Sequence, residues 1–351
     1  LTFSKTGGFI QGSKAFREKL KLSATLRADK NEYFKLRLNP RVTAVYSIAR
    51  NSHFRFSFQR GFRFPGIFEA FSNVNSGGVK RVGGLRVMST GIFENAYKRK
   101  SIDEFQAAVV ADVNQSGLTA DEAIIKNRGL LVKSDYSYVQ PERIRSFEMG
   151  YRGAFLNEDL QVDLDFYFNR YNDFIAQVEM NIPKTSVPDS IPFYMNDRRK
   201  QDRYRLWTNS KTTAYNFGAG IGIRYNVIGN YKVAGNATYA KLQRTSQNDG
   251  LEDGFNTPEW IINLSFGNDD VLNRFGFTFT YRWQSSYYWE SFLVNGNVPA
   301  YYTLDAQVSK TIKSLSMKIG ASNILNQYYQ SFLGGPSIGG FYYTSVAYTL
   351  R

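Results

Sequence analysis

The sequence has almost none of the side chains that most enzymes and metal sites use. It contains no cysteine and a single histidine, His53, among its 351 residues. Without cysteine there are no disulfides, no thiolate metal sites and no cysteine nucleophiles. His53 falls beside a predicted tight turn, where it is poorly placed to pair with a catalytic serine. We therefore expect no catalytic residues, no metal ligands and no cofactor.

The sequence also lacks a long hydrophobic run. No segment approaches the roughly 18 consecutive apolar residues that a membrane-spanning helix requires. Proline is scarce, at 9 residues, whereas 28 Phe and 24 Tyr supply many strand-forming side chains. Such a chain either folds in water or crosses a membrane as strands, which expose only half of their side chains to lipid.

Neither a signal segment nor a nucleic-acid-binding motif is visible. The first residue is Leu1, and no charged segment followed by an apolar one comes after it, so we expect a piece of a longer precursor. The 44 Lys and Arg residues outnumber the 30 Asp and Glu residues, but they are spread along the chain. Because no basic stripe accompanies a recognisable binding motif, we expect no nucleic-acid partner.

Apolar and polar side chains alternate over stretches of about ten residues, the length of a tilted membrane strand. One such apolar face consists of Leu160, Val162, Leu164, Phe166 and Phe168. A soluble β-sandwich would alternate in the same way, so alternation alone does not assign the fold. The clearest stretches are residues 19–29, 160–173, 215–225 and 275–284.

The predicted connections alternate between short and long. Tight turns are predicted near residues 17–18, 50–52, 157–159, 229–230, 268–272 and 313–314, and longer connections over residues 65–141, 181–203, 246–258, 286–299 and 330–339. Short turns on one side and long loops on the other, with aromatic residues at strand ends, are typical of an outer-membrane barrel. We count about thirteen strands, which fits a fragment of a barrel of about 22 strands.

Two arginines interrupt the apolar faces. Arg60 and Arg170 occupy apolar positions of their strands, each at the end that leads into a long connection. Near a membrane interface an Arg costs only about 0–1 kcal/mol, because its side chain can extend toward water. We interpret both as snorkelling residues.

The longest connection, residues 65–141, is predicted to have structure of its own. Ser101 with Glu104, and Thr119 with Glu122, match capping boxes ahead of helices over residues 105–113 and 120–125. Loops of this length are usually functional, although a helical cap that only stiffens the rim fits equally well. Another loop, residues 248–254, groups three carboxylates at a spacing unlike a calcium-binding loop, and we interpret it as a turn.

Four segments carry a family resemblance. Residues 54–65 end in a G-F-R-x-P turn, and residues 139–151 contain P-E-x-x-x-S-x-E-x-G-Y, the most specific match. Residues 165–175 resemble a Y-x-N-x-Y-x-D-F-I strand, and residues 321–329 resemble the element before a last barrel strand. These patterns are similar to those of TonB-dependent outer-membrane receptors of the kind abundant in Bacteroidetes.

The resemblance extends over essentially the whole chain. It implies an all-β fold: residues 1–351 form a single domain, the C-terminal part of a transmembrane antiparallel β-barrel in the outer membrane of a Gram-negative bacterium, with short helices in one extracellular loop. It also implies active import of a scarce nutrient, which could be a ferric siderophore, cobalamin, a glycan or a peptide. The plug domain that contacts TonB and the first barrel strands are expected outside these residues, and Arg351 departs from the usual aromatic end.

Partners follow from the same resemblance. TonB would act through the plug, the nutrient would bind the outer loops, and outer-membrane lipid and lipopolysaccharide would surround the barrel. A surface lipoprotein is a further partner in the subclass that imports glycans. Glu142, Glu148 and Arg152 would face the plug from the lumen, although lumen positions must be polar in any case.

Two clusters are candidates for ligand contact in the outer loops. Arg198, Arg199, Lys200 and Arg203 could attract an anionic ligand, although a solvated loop is the simpler interpretation. The aromatic cluster could stack on a sugar or an aromatic ligand, although the outer girdle is the interpretation that we favour; it consists of Tyr287, Tyr288 and Trp289.

Two alternatives remain at this level. A passive porin or adhesin barrel without a plug would share every strand-level feature, and only the segment before residue 1 would distinguish it. A soluble β-sandwich is the third interpretation, and solubility without detergent would support it.

Overall fold

The computed structural model describes residues 3–244, 255–291 and 294–350. In chain order, the strands are β1 (Lys5–Phe16), β2 (Leu20–Asn31), β3 (Phe34–Ala49), β4 (Ser52–Arg63), β5 (Asn73–Ser76), β6 (Val79–Val82), β7 (Tyr97–Lys98), β8 (Glu142–Phe155), β9 (Leu160–Asn172), β10 (Ile175–Pro183), β11 (Gln201–Asn209), β12 (Ala214–Asn226), β13 (Tyr231–Arg244), β14 (Trp260–Leu272), β15 (Phe275–Gln284), β16 (Tyr287–Trp289), β17 (Gly296–Val298), β18 (Tyr301–Ile312), β19 (Leu315–Ser322) and β20 (Phe341–Tyr348). The α-helices are α1 (Ile67–Phe71), α2 (Arg86–Ser89), α3 (Ile92–Asn95), α4 (Arg99–Ser116), α5 (Ala120–Asn127) and α6 (Ile191–Asn196).

One 13-stranded sheet dominates the molecule. Its order is β1-β2-β3-β4-β8-β9-β12-β13-β14-β15-β18-β19-β20, so each strand pairs with the next sheet strand along the chain. All of these pairings are antiparallel. The predicted strand count and the all-β antiparallel fold are therefore confirmed.

The two faces of this sheet differ in chemistry. Phe58, Phe147 and Phe168 lie directly opposite one another on three neighbouring strands, and they are 46%, 41% and 39% exposed. The adjacent row on the other face consists of Ser57, Glu148 and Tyr167. We call these the apolar face and the polar face. An exposed apolar surface that continues across a whole sheet is far larger than soluble monomers carry.

The short and the long connections lie at opposite ends of the strands. Turns of two to four residues join β1 to β2, β3 to β4, β8 to β9, β12 to β13, β14 to β15 and β18 to β19. The long connections lie at the other strand ends, as predicted, with one exception: β2 and β3 are joined there by Glu32 and Tyr33 alone. Residues 245–254, which contain the predicted acidic turn, lie outside the described residues.

The buried hydrophobic core lies in the long connections, not in the main sheet. Residues 64–141 and 173–213 fold together, and we call them the outer module. A second sheet, in the order β5-β6-β11-β10-β7, forms its centre. Nearly all of the fully buried large side chains belong to the outer module, including Ile102, Phe105, Met180, Met195 and Leu206.

Two local predictions in the outer module were wrong. The predicted loop over residues 181–203 is shorter, because β10 continues to Pro183 and β11 begins at Gln201. Ser101 does not cap a helix, since α4 begins two residues earlier; its hydroxyl donates to the Lys98 carbonyl at 2.8 Å and accepts from the Val132 N–H at 3.1 Å.

The capping box at Thr119 and Glu122 is confirmed. The Thr119 hydroxyl oxygen accepts from the Glu122 N–H at 3.4 Å, and the Glu122 carboxylate accepts from the Thr119 N–H at 2.9 Å. Helix α5 begins there. Helix α4 ends shortly before, at Ser116, and is followed by Gly117, whose φ of +66° favours glycine. Within the described ranges, no helix combines the length and the apolar composition needed to cross a bilayer.

Candidate functional site

The outer module is a compact platform above one end of the main sheet. Helices α4, α5 and α6 pack through Ile102, Phe105, Ala123 and Met195, all of which are fully buried. A second cluster joins the module's sheet to α3 and to residues 131–139. It includes Phe93 of α3 and Val178 and Leu206 of the sheet. Side chains packed this closely hold the surface loops of the module in fixed positions.

An ion-pair bridge joins two connections of the module. The Asp135 carboxylate accepts from Lys211 at 2.7 Å and lies 2.8 Å from the Lys98 ammonium. Hydrogen bonds from these two lysines, Lys211 first, lower the pKa of Asp135 from 3.8 to about 2. The bridge therefore stays charged at neutral pH and ties residues 98, 135 and 211 together.

The basic cluster predicted to meet ligand lies at the tip of the β10–β11 hairpin. Arg198, Arg199 and Lys200 are all exposed. The Asp197 carboxylate accepts from the Arg199 backbone N–H at 2.9 Å, a contact that fixes the backbone turn without involving the guanidinium. The Lys200 ammonium lies 5.5 Å from the centre of the Tyr194 ring, a cation–π distance.

Arg203, the fourth member of that predicted cluster, lies elsewhere. It belongs to the sheet of the module, where its guanidinium is 3.3 Å from the Glu179 carboxylate on the neighbouring strand. A paired, half-buried arginine is less available to a ligand than the exposed tip residues. The structure therefore separates Arg203 from Arg198, Arg199 and Lys200.

A cleft opens beside the tip. It has a volume of about 730 Å³, within the usual range for small-molecule sites. Arg128, Lys133 and Lys184 line it, together with the hydroxyls of Thr185 and Ser186. Within the described part of the chain, no carboxylate lines this cleft. This cleft cannot be predicted from the sequence, because its walls come from segments about 50 residues apart.

The aromatic cluster divides into two parts. In β16, the Tyr287 hydroxyl donates to the Ser331 carbonyl at 2.5 Å, and the Trp289 ring lies 5.5 Å from the Phe332 ring. These two side chains hold the 330–335 connection against the short β16–β17 hairpin. Tyr288 points the other way and is 61% exposed, so it is the member that a ligand could reach.

The three predicted lumen residues lie on the polar face of β8, as their parity requires. Glu142 is 6% exposed, and its carboxylate accepts from the Ile175 N–H at 3.0 Å and from Arg63 at 3.3 Å. It therefore joins the main sheet to the outer module. Glu148 accepts from the Ser146 hydroxyl at 3.3 Å, and Arg152 lies 3.3 Å from Asp163.

Two further charged residues on this face escaped the sequence analysis. The Arg55 guanidinium donates to Asp163 at 2.9 Å, reaching over Gly150 on the strand between them. Asp163 thus holds Arg55 on one side and Arg152 on the other. The alternation at residues 54–58 could have indicated Arg55, because it places that residue between two apolar-face phenylalanines.

A groove of about 580 Å³ runs along the same face. Its polar lining includes Arg41, Arg55, Glu148, Asp165 and Tyr167. The two arginines lie on the neighbouring strands β3 and β4, and the two carboxylates lie on the next two strands of the sheet, β8 and β9. Such a surface suits a hydrated lumen or a polar protein surface better than an apolar ligand.

A sequence profile identifies what this arrangement resembles. Residues 1–324 match the family described as TonB dependent receptor-like, beta-barrel. No sequence among curated proteins matches the chain significantly.

Solved structures show the same fold at low identity. The siderophore receptor PirA from Acinetobacter baumannii superposes with a TM-score of 0.60 at 12% identity, over 98% of this chain and 45% of that one. The copper transporter OprC gives a TM-score of 0.63 at 13% identity, over 99% and 48%. A mutant of the ferric enterobactin receptor PfeA from Pseudomonas aeruginosa gives 0.61 at 12%, over 98% and 44%. The chain thus spans less than half the length of each.

Proposed function

The chain belongs to the TonB dependent receptor-like β-barrel family, and on this basis we propose that it forms part of the wall of an outer-membrane transporter. The whole protein would import a scarce nutrient with energy relayed by TonB. The candidate cargo classes are a ferric siderophore, cobalamin, a glycan or a peptide. Two structural relatives are siderophore receptors and one is a copper transporter, which supports import of a metal-bearing ligand.

The observation that carries the membrane assignment is the contrast between the two faces of the main sheet. The apolar face, with Phe58, Phe147 and Phe168 in one row, suits lipid. The polar face, with Ser57, Glu148 and Tyr167 in the next row, suits a water-filled or plugged lumen. Residues that alternate between lipid and lumen are the defining pattern of outer-membrane barrels.

The outer module receives the ligand in this proposal. It lies at the strand ends that carry the long connections, which is the extracellular end in barrels of this type. Its exposed cations at Arg198, Arg199 and Lys200 would raise the local concentration of an anionic ligand. The adjoining cleft, lined by Arg128, Lys133 and Lys184, is large enough to hold part of such a ligand.

The polar face would contact a plug. Glu148 and Arg152 remain accessible there, whereas Glu142 is already occupied by Arg63 and Ile175. Contacts to Glu148 and Arg152 would be made in the closed state and broken when TonB displaces the plug. Charge pairs in a hydrated lumen suit such a reversible contact, because each contributes only modestly.

The proposed function is tested with the full-length parent protein in its own bacterium. A deletion strain, the same strain carrying the intact gene, and the intact strain treated with a protonophore would be compared. Uptake of ⁵⁵Fe-loaded siderophores, cyanocobalamin and labelled oligosaccharides would be measured in each.

We expect the deletion and the protonophore to abolish uptake of one probe, and the intact gene to restore it. Uptake that survives the protonophore, together with swelling of liposomes that contain the purified protein, would contradict energy-coupled import. That result would establish the passive porin instead.

A further inference from the structure

Rows of residues cross β4, β8 and β9 on the apolar face, and their chemistry changes abruptly toward the long connections. One row is Phe58, Phe147 and Phe168, each directly opposite the next. The next row in the direction of the outer module is Arg60, Arg145 and Arg170, again directly opposite one another. The apolar band therefore ends on this side in a line of arginines that spans three strands.

Such a row is unfavourable unless something neutralises it. Like charges directly opposite each other on neighbouring strands destabilise a sheet, because their Cβ atoms lie only about 4.5–5.5 Å apart. Among the described residues, no carboxylate pairs with Arg60, Arg145 or Arg170. The Nε–H of Arg170 is buried and has no hydrogen-bond acceptor in the described ranges. The row therefore presents three guanidinium groups that can donate hydrogen bonds to an anion.

A cavity adjoins two members of the row. Strands β3 and β4 separate beyond the pair formed by Arg41 and Gln59, and the gap leaves a cavity of about 180 Å³. The cavity is lined by Arg37, Arg60, Arg143 and Arg145, together with Asn39 and Asn172, and no carboxylate of the residues that the structure describes lines it. One nearby acid, Asp173, is already bound by the Nε–H of Arg143 at 2.6 Å.

The anion that best matches this row of arginines is a phosphate group. A guanidinium offers a planar pair of N–H donors, which matches two phosphate oxygens at once. Two phosphates on one lipid headgroup could engage neighbouring arginines and remove the repulsion along the row. A carboxylate ligand in solution is not concentrated at the edge of an apolar band. A lipid, by contrast, places its headgroup at the membrane depth of the arginine row.

We propose that Arg60, Arg145 and Arg170 form a binding site on the lipid-facing surface for the phosphates of an anionic lipid in the outer leaflet. The proposal rests on the proposed membrane location but not on the transport activity. From the sequence alone, Arg60 and Arg170 are interpreted as separate snorkelling residues, and Arg145 is not singled out. Only the strand register shows that the three are neighbours.

The test uses the full-length protein, purified in mild detergent and incubated with a phosphorylated glycolipid such as lipid A. Native mass spectrometry counts the lipid molecules retained. The variant carries Arg60→Gln, Arg145→Gln and Arg170→Gln. A matched control carries Lys19→Gln, Arg50→Gln and Lys313→Gln, which remove the same charge at the short-turn end, where these residues are exposed.

We expect the wild type and the control to retain the lipid, and the arginine variant to lose at least about tenfold in lipid affinity. A second variant with Lys at all three positions keeps the charge but loses the paired donors, so it should retain an intermediate amount. This variant remains informative if the Gln variant does not fold. Equal retention by the wild type and the Gln variant, or equal loss by the control, would overturn the site.

Competition separates lipid from free phosphate. Inorganic phosphate at millimolar concentration should not displace the lipid, because the acyl chains also hold it; displacement would overturn the lipid assignment. Nutrient uptake by the same variants is measured separately. Normal uptake without lipid retention contradicts only the lipid site, whereas lipid retention without energy-dependent uptake contradicts only the proposed transport.

Discussion

The Glu142 carboxylate accepts a hydrogen bond from the Ile175 backbone N–H at 3.0 Å. The contact joins the first residue of β8, in the main sheet, to the first residue of β10, in the outer module. Glu142 also holds Arg63 at 3.3 Å, and Arg63 in turn binds Glu69 at the start of the module. A chain of polar contacts thus connects the barrel wall to the platform above it.

Removing this carboxylate should loosen the module without unfolding the barrel. Glu142→Ala leaves the buried Ile175 N–H without its acceptor and removes one of the two carboxylates that bind Arg63, which costs about 1–3 kcal/mol. Hydrogen exchange on the full-length protein should show faster exchange in β10, while the amides of β9 stay protected. Glu148→Ala is the matched control, because Glu148 lies on the same strand and face but, among the described residues, hydrogen-bonds only to Ser146. An unchanged exchange rate in β10 would contradict the role of Glu142 in connecting the outer module to the main sheet.

The bridge at Asp135 gives the module a defined response to acid. Its pKa is lowered to about 2 by Lys211 and Lys98, so the bridge stabilises the folded module fully above the ordinary carboxyl pKa of 3.8. That stabilisation is lost as the pH falls through about 2. The effect is small, because Asp135 is half-exposed and solvent screens its charge.

The measurement is the thermal midpoint of the full-length protein and of Asp135→Asn between pH 7 and pH 2. The wild type should be the more stable of the two at pH 6, and the difference should shrink below about pH 4. A difference that persists unchanged at pH 2 would mean that charge on Asp135 is not its cause.

The polar face of β12 needs glycine at one position and tolerates alanine at another. A Cβ at Gly218 would lie 2.6 Å from the Tyr167 hydroxyl and would also collide with the Tyr239 carbonyl, which is backbone and cannot move cheaply. Gly222, four residues along, has its nearest neighbour at 3.9 Å. Gly218→Ala should therefore destabilise the barrel by about 1–3 kcal/mol, whereas Gly222→Ala should have little effect.

Barrels that resist denaturing detergent until they are heated allow a simple comparison of these two variants. The temperature at which the band of the folded protein disappears from a gel should fall for Gly218→Ala and not for Gly222→Ala. Equal behaviour of the two would show that Tyr167 and its strand can rearrange around a methyl group.

The tip cations test the role of the module as a receptor. Once a transported probe has been identified, replacement of Arg198, Arg199 and Lys200 by Gln should raise its half-saturation concentration about tenfold if that probe is anionic. The maximal rate should stay unchanged, since the lumen is untouched. The control is the variant with Lys19, Arg50 and Lys313 replaced by Gln. An unchanged half-saturation concentration would show that the tip is only a solvated loop and does not bind the ligand.

The main sheet could be predicted from the sequence because each of its strands pairs with a neighbour along the chain. Alternation then fixes the faces, and short turns fix most boundaries. The outer module could not be predicted, because its pairings are distant: Lys98 pairs with Met180, and Val79 runs parallel to Arg203. The arginine row shows the same limit, since the order of residues along each strand says nothing about the register between strands.

The central claim is that one face of the main sheet meets lipid and the other meets the lumen. Phe147 and Glu148 are adjacent on β8 and lie on opposite faces. Because these 351 residues contain no cysteine, Phe147→Cys and Glu148→Cys can each carry a single spin label, after any cysteine elsewhere in the parent has been replaced.

The measurement is the collision rate of each label in reconstituted full-length protein with oxygen, which concentrates in lipid, and with a water-soluble nickel complex. The label at residue 147 should collide mainly with oxygen, and the label at residue 148 should meet oxygen far less. Similar collision rates at both positions, or the reverse pattern, would contradict the assignment of the two faces and with it the barrel wall.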